Sequence, residues 1–250
     1  MGISVLLHAS AAAETPRVSL STGFDYSTGD YGLDADTELV FVPISGRLSI
    51  GDFSIRATSA YVSLSGPGSI VSLEDGPDVV EGGAGDTDTI SGMSDLSLSA
   101  GYRYRPENPD AMSLSFSAGV KVPTADTTSG LGTGSTDFRL RAEATQPIGD
   151  AAVFGSLGYR IAGSSDTVAL KNTVAIGGGV QFPLLDNFDA IAGLDYRQAS
   201  SNGAEDSVEA SVFFSSRLAP SVYVLPYVYT GFTESSPDIG VGMFLTVRFD

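Results

Sequence analysis

The chain has 250 residues and no cysteine, which excludes a disulfide framework and any thiolate metal site. Histidine occurs once, at His8. Hydrolytic chemistry needs a general base that titrates near neutral pH, usually histidine, and serine with only Asp or Glu nearby forms no recognised triad. The stretch "GLGTGSTD" at 130 to 137 lacks the lysine and following helix of a phosphate loop. The reading is therefore a protein that is not an enzyme and holds neither cofactor nor metal.

No run of about 18 apolar residues occurs, so no transmembrane helix is available. Helical periodicity is equally scarce. Lysine occurs only twice, and 13 basic against 30 acidic residues give a net charge of -17, which argues against nucleic acid as a partner.

What is present is alternation. In "AMSLSFSAGVKVPTAD", residues 111 to 126, Met112, Leu114, Phe116, Ala118, Val120 and Val122 alternate with Ser113, Ser115, Ser117, Gly119 and Lys121, the pattern of a strand with one apolar and one wet face. Strands of this kind are predicted at 17 to 27, 37 to 50, 53 to 65, 92 to 105, 111 to 123, 136 to 147, 151 to 163, 167 to 183, 188 to 199, 206 to 218, 221 to 232 and 239 to 249.

Short connections (Gly51-Asp52, 106 to 110, Gly149-Asp150, 184 to 187, Ala219-Pro220) alternate strictly with longer or more polar ones (28 to 35, 66 to 91, 124 to 134, 164 to 166, 200 to 205, 233 to 238). Bacterial outer-membrane barrels have this asymmetry of short periplasmic turns and longer extracellular loops. A soluble sandwich or barrel also alternates, but would cover its polar face with Lys and Glu. Here that face is Ser, Gly and Thr with single charges. The fold class expected is all-β, a single 12-stranded antiparallel transmembrane β-barrel.

At the N-terminus, Ile3 to Leu7 and then Ala11-Ala12-Ala13 read as an export signal cleaved near Ala13, although the usual positive segment is missing. The expected division is a signal remnant over 1 to 13 and a barrel over 14 to 250. The last strand, Ile239, Val241, Met243, Leu245, Val247 and Phe249, resembles the C-terminal signal by which barrels engage their insertion machinery, but continues to Asp250.

From 92 to 163 the chain carries strand, turn, strand, then Val120 to Asp126 ("VKVPTAD"), a Gly-rich loop, Gly134 to Asp137 ("GSTD") and another strand pair. This resembles the outer-membrane transporter family of the meta-pathway of phenol degradation, whose "VKxPTGD" has glycine where Ala125 stands here. The resemblance implies a monomeric barrel and, more weakly, passage of small organic or aromatic compounds. It transfers no ligand residue.

With the apolar parity facing lipid, Arg47, Arg56, Arg103 and Arg105 take the polar parity, as do Lys121, Arg139, Arg141, Arg160, Lys171, Arg197, Arg217 and Arg248. A basic residue at mid-membrane on the lipid face costs about 2–4 kcal/mol, so these side chains are expected to line the interior. Asp25, Asp95, Glu143, Asp195 and Glu209 share that parity, which gives a mixed but net basic lumen, and basic pores favour anions. The expected function is passive passage of small organic solutes, anions including aromatic acids among them, in contact with outer-membrane lipid and lipopolysaccharide. Twelve strands enclose more than eight and less than sixteen, so a closed structural or adhesive surface barrel is the alternative.

Smaller expectations concern loops and strand ends. Residues 66 to 91 hold Glu74, Asp75, Asp78, Glu81, Asp86 and Asp88 and no basic residue; this loop is either a solvated surface or a Ca²⁺ site, and is long enough to fold over the pore mouth. Tyr26, Tyr61, Tyr102, Tyr104, Tyr159, Tyr196, Tyr223, Tyr227 and Tyr229, with Phe182, Phe188 and Phe249, read as interfacial girdles. Apolar residues on both parities near Leu39 to Val42, and a parity change near Ser59, call for a bulge or an apolar lumen patch. Pro123 and Gly177-Gly178-Gly179 mark a barrel corner or a lateral exit.

Overall fold

The computed structural model describes residues 15–72, 78–81, 89–164 and 169–249. The strands are β1 (Arg17–Gly29), β2 (Thr37–Ile50), β3 (Phe53–Ser65), β4 (Gly68–Ser72), β5 (Asp78–Glu81), β6 (Thr89–Met93), β7 (Leu96–Tyr104) and β8 (Ser113–Val122). After a 3-10 turn at Thr127–Ser129 follow β9 (Asp137–Ile148), β10 (Ala151–Ile161), β11 (Thr173–Leu185), β12 (Phe188–Arg197), β13 (Ser207–Ala219), β14 (Val222–Gly231) and β15 (Ile239–Phe249). All pairings are antiparallel, most of them between sequence neighbours; β6 and β7 both pair with β3, and β1 pairs with both β2 and β15, closing the sheet on itself. Closure removes every free edge that hydrocarbon could not satisfy. The hairpin of β4 and β5 stands apart, while β6 and β7 occupy one place, so the wall is a 12-stranded antiparallel barrel.

Two predicted strands need correction. The strand expected over 92 to 105 is interrupted, because Tyr61 pairs with Met93 while Thr58 pairs with Ser97, so three steps on β3 face four on its partner. The extra residue of this bulge lies within Ser94–Leu96, and Ser94 holds the bend to Ala60, its amide donating to the Ala60 carbonyl at 2.8 Å and its Oγ accepting from the Ala60 amide at 3.0 Å. The strand expected from 167 begins only at Thr173, and Lys171 lies exposed in the connection before it, not on a strand face.

Two of the tight turns need a left-handed residue at their first position, and Gly51 (φ 57°) and Gly149 (φ 59°) supply it without a Cβ clash. These turns sit at one rim, the turn end. The longer connections all sit at the other, the loop end.

The polarity is inverted relative to a soluble barrel. Leu20, Phe24, Ile55, Phe116, Leu140, Leu157, Leu194 and Met243 are 47 to 61% exposed on the outer face. In β8, Ser115 pairs with Glu143 and Ser117 with Arg141 on the inner face, while Phe116 points out. Among the described residues no helix is long and apolar enough to cross a membrane.

At the loop end, Leu39, Ala60, Val62 and Leu64 face inward from β2 and β3 and are all but fully buried. Tyr31, Ile70, Val79 and Leu131, from three connections, pack on them. The mixed parity of β2 and β3 is therefore an apolar lining, and neither their mutual pairing nor that of β1 with β2 shifts register. Tyr31 holds φ 53°, unusual for a bulky residue, with its hydroxyl donating to Ser27 Oγ at 2.7 Å inside. The region of 66 to 91 thus sends Ile70 and Val79 over this end of the interior; the carboxylates expected to bind Ca²⁺ lie outside the described side chains.

Candidate functional site: the barrel interior

Register assigns the charged residues to rows across the inner wall. Arg141, Gly158, Ala175, Arg197 and Ser207 are successive partners on β9 to β13. The next row towards the turn end on β9 reads Glu143, Ser156, Gly177, Asp195 and Glu209. A basic row thus runs beside an acidic one, with the small residues of β10 and β11 between their charged ends. Arg141 Nε bonds Glu143 Oε1 at 2.9 Å and its Nη2 bonds Ser156 Oγ at 3.1 Å, while Ser207 Oγ donates to Glu209 Oε1 at 3.0 Å. Arg141, Ser156, Asp195, Arg197, Ser207 and Glu209 line a narrow cavity on the inner wall.

The three glycines of β11 find their reason here. β11 pairs without a break on both sides from Ala175 to Val180, so Gly177-Gly178-Gly179 opens no lateral exit. A Cβ on Gly177 would overlap the Asp195 carboxylate, and one on Gly179 would lie 2.7 Å from the Phe154 ring. Pro123 ends β8 rather than bending it.

Lys121 closes off the loop end of β8. Its Nζ lies 3.1 Å from both Asp95 Oδ2 and Asp137 Oδ2 and donates to Thr133 Oγ1 at 3.0 Å, and all three charged side chains are at most 8% exposed. Asp95 Oδ1 also accepts from the Thr124 and Ala125 amides, and Asp137 Oδ1 from the Gly163 amide at 2.9 Å. The segments "VKVPTAD" and "GSTD" therefore meet in one buried ionic node, and Lys121 and Asp95 are consumed by it.

Asp126 ends the first segment by capping the 3-10 turn at Thr127–Ser129. The Thr128 and Ser129 hydroxyls and the Thr128 amide hold its carboxyl below the usual range. A depressed pKa makes the cap complete above the unfolded value of about 3.9 and lost as pH falls through the folded value. Asp126→Ala should therefore speed amide exchange at Thr128 several-fold at pH 6, and the difference should shrink as pH falls through the folded value.

Sequence reasoning missed an aromatic cluster. Tyr223, Tyr227 and Tyr229 share the inner parity of β14, so three of the tyrosines assigned to girdles stand inside. Tyr227 stacks between Phe213 and Phe244, with centroids at 4.9 and 5.4 Å. The Tyr227 and Tyr229 hydroxyls donate to Asp25 Oδ2 and Oδ1 at 2.7 and 2.9 Å. To reach β1 they cross β15 at Gly242 and Gly240, where a Cβ would overlap their rings. The readable signal was an inward carboxylate, Asp25, opposite two inward glycines.

The remaining basic residues divide by height. Arg139 and Arg160 pair directly across β9 and β10 towards the loop end. Arg47 faces Arg56 near the turn end, Arg103 lies near the end of β7, Arg105, expected to line the interior, is exposed in the connection just past it, and Arg217 and Arg248 flank the Tyr223 ring at 5.9 and 4.4 Å.

The barrel superposes on the COG4313 outer membrane channel from Pseudomonas putida F1 with a TM-score of 0.73 at 13% identity, covering 98% of this chain and 100% of that one. The fold is that of an outer-membrane β-barrel. It is also similar to the KdgM porin (TM-score 0.53, 13% identity, 92% and 99% covered), which is also known in complex with disordered oligogalacturonate (TM-score 0.50, 9% identity, 94% and 98% covered). A third likeness is the translocator domain of the autotransporter NalP from Neisseria meningitidis (TM-score 0.56, 14% identity, 96% and 90% covered). No family profile and no curated protein matches the sequence.

Proposed function

We propose that the chain is an outer-membrane channel passing small organic solutes, with a preference for anions including aromatic acids. The observation that carries this is the pair of opposed charge rows around the cavity between β9 and β13, inside a wall whose outer face is apolar. Carboxylate solutes would move along Arg141, Arg197, Arg139 and Arg160, and the neighbouring Glu143, Asp195 and Glu209 keep any one anion from binding too tightly to leave. The solved channels of the same fold support passage of small solutes, and the KdgM complex supports acidic ones.

In this reading the loop end faces outward and the turn end faces the periplasm. The signal at 1 to 13 is removed on export, β15 engages the insertion machinery, the barrel is monomeric, and lipid and lipopolysaccharide cover the outer face.

Reconstitution in planar bilayers should give current steps with reversal potentials favouring anions, and liposomes should swell faster in aromatic acids than in sugars of the same size. Silent bilayers with insertion demonstrated would instead support the closed surface barrel, for which the apolar packing of Leu39, Val62 and Leu64 under Tyr31 and Leu131 is the specific argument. The lipid-facing assignment has its own test: Leu157→Arg, on an outer-face residue 55% exposed, should cost about 2–4 kcal/mol of stability in bilayers, measured by urea unfolding in vesicles.

A further inference from the structure

At the turn end the interior gathers guanidinium groups with little to balance them. Arg47 on β2 and Arg56 on β3 are direct cross-strand partners, and Arg248 on β15 is two strands round from Arg47, with Ser19 of β1 between them. The charged neighbours of Arg47 are Arg56, Arg103 and Arg248, with Glu143 the carboxylate among them. Those of Arg103 are Arg105 and Arg248, with Glu143 and Asp52. Glu143 is already held by Arg141, and Asp52 sits exposed in the turn between β2 and β3.

Like charges directly opposite one another on a sheet destabilise it. The interior rows here are otherwise filled by serines, such as Ser19, Ser54, Ser99 and Ser115, so packing does not demand arginine.

The groups are also oriented. Arg47 Nη2 donates to Ser54 Oγ at 2.9 Å, while its Nε is buried with no acceptor among the described residues. Arg103 Nε donates to Ser115 Oγ at 3.3 Å, and the Arg248 guanidinium lies over the Tyr223 ring at 4.4 Å. A planar guanidinium fork matches a carboxylate or phosphate edge, and a walled cleft focuses the field of several such cations.

We propose that Arg47, Arg56, Arg103 and Arg248 form a binding site for a small multivalent oxyanion, one carrying two or more carboxylate or phosphate groups. A monocarboxylate can satisfy one fork, but two anionic groups on one molecule can bridge the Arg47–Arg56 pair of β2 and β3 to Arg103 on the β7 flank or Arg248 on the β15 flank. The site rests on the channel reading only for its side of access, the periplasm.

Calorimetric titration of the folded protein in detergent tests it, with citrate, inorganic pyrophosphate and benzoate as probes at low and moderate salt. Citrate or pyrophosphate should bind at least tenfold more tightly than benzoate, with affinity falling as salt rises; which of the two binds more tightly tells carboxylate from phosphate. Arg47→Gln with Arg103→Gln should weaken binding at least tenfold, and Arg47→Lys with Arg103→Lys, which keeps the charge if the glutamine pair fails to fold, by several-fold. Lys171→Gln, at the opposite end, should leave it unchanged.

Equal affinity for benzoate and the multivalent anions, or unchanged affinity in a folded double variant, overturns the site. Bilayer recordings separate the two ideas: current without saturable multivalent binding sinks the site and leaves the channel, whereas binding in an electrically silent barrel upholds the site and sinks the channel.

Discussion

Lys121→Met is expected to destabilise the barrel by about 3–5 kcal/mol, because it leaves the Asp95 and Asp137 carboxylates buried without a counter-charge. Both are at most 8% exposed and both lie 3.1 Å from the ammonium they would lose. The cost arises from the orphaned charges and not from any net strength of the ion pairs, which gives a second expectation. Neutralising the partners as well, in Lys121→Met with Asp95→Asn and Asp137→Asn, should recover part of the loss. Recovery is incomplete because Asp95 also accepts two backbone amides and Asp137 a third. Urea unfolding followed by far-UV circular dichroism in vesicles measures both, and a triple variant no more stable than the single one would show that the node acts through packing.

Gly242→Val should be nearly as damaging. Its Cβ would overlap the Tyr227 ring and lie 2.6 Å from the Phe24 carbonyl oxygen of the neighbouring strand, so neither the ring nor the backbone can yield cheaply. Overpacking of this kind costs about 1–3 kcal/mol, and expelling Tyr227 also breaks its hydrogen bond to the Asp25 carboxylate, worth about 1.5–3 kcal/mol. Tyr227→Phe should show the second part alone. If Gly242→Val and Tyr227→Phe unfold at the same urea concentration, the ring does not depend on the gap that Gly242 leaves.

Both predictions concern features that alternation could not reveal. Parity placed Asp25, Asp95 and Lys121 on the inner face, and register agrees, but parity is a property of one strand at a time. Which row of β9 stands level with which row of β13 depends on stagger around a closed sheet, so the opposition of Arg141 and Arg197 to Glu143, Asp195 and Glu209 was not legible. Neither was the descent of Ile70 and Val79 onto β2 and β3, since loops of that length carry no periodicity. The tyrosines of β14 were misplaced because Val222, Val224 and Val228 make both of its faces apolar; only the glycines of β15 that separate them from Asp25 on β1 break the tie, and they do so in three dimensions.

The sequence by itself determined that this chain is an inside-out β structure, because a period of two with serine and arginine on one side and leucine and phenylalanine on the other is stable only with lipid outside. It also determined how many times the chain crosses and at which rim its long connections lie. The tertiary structure alone decided which inward charges neutralise one another and which are left facing open space. That follows from the range of electrostatics, which acts between side chains brought together across the lumen from strands far apart in the chain.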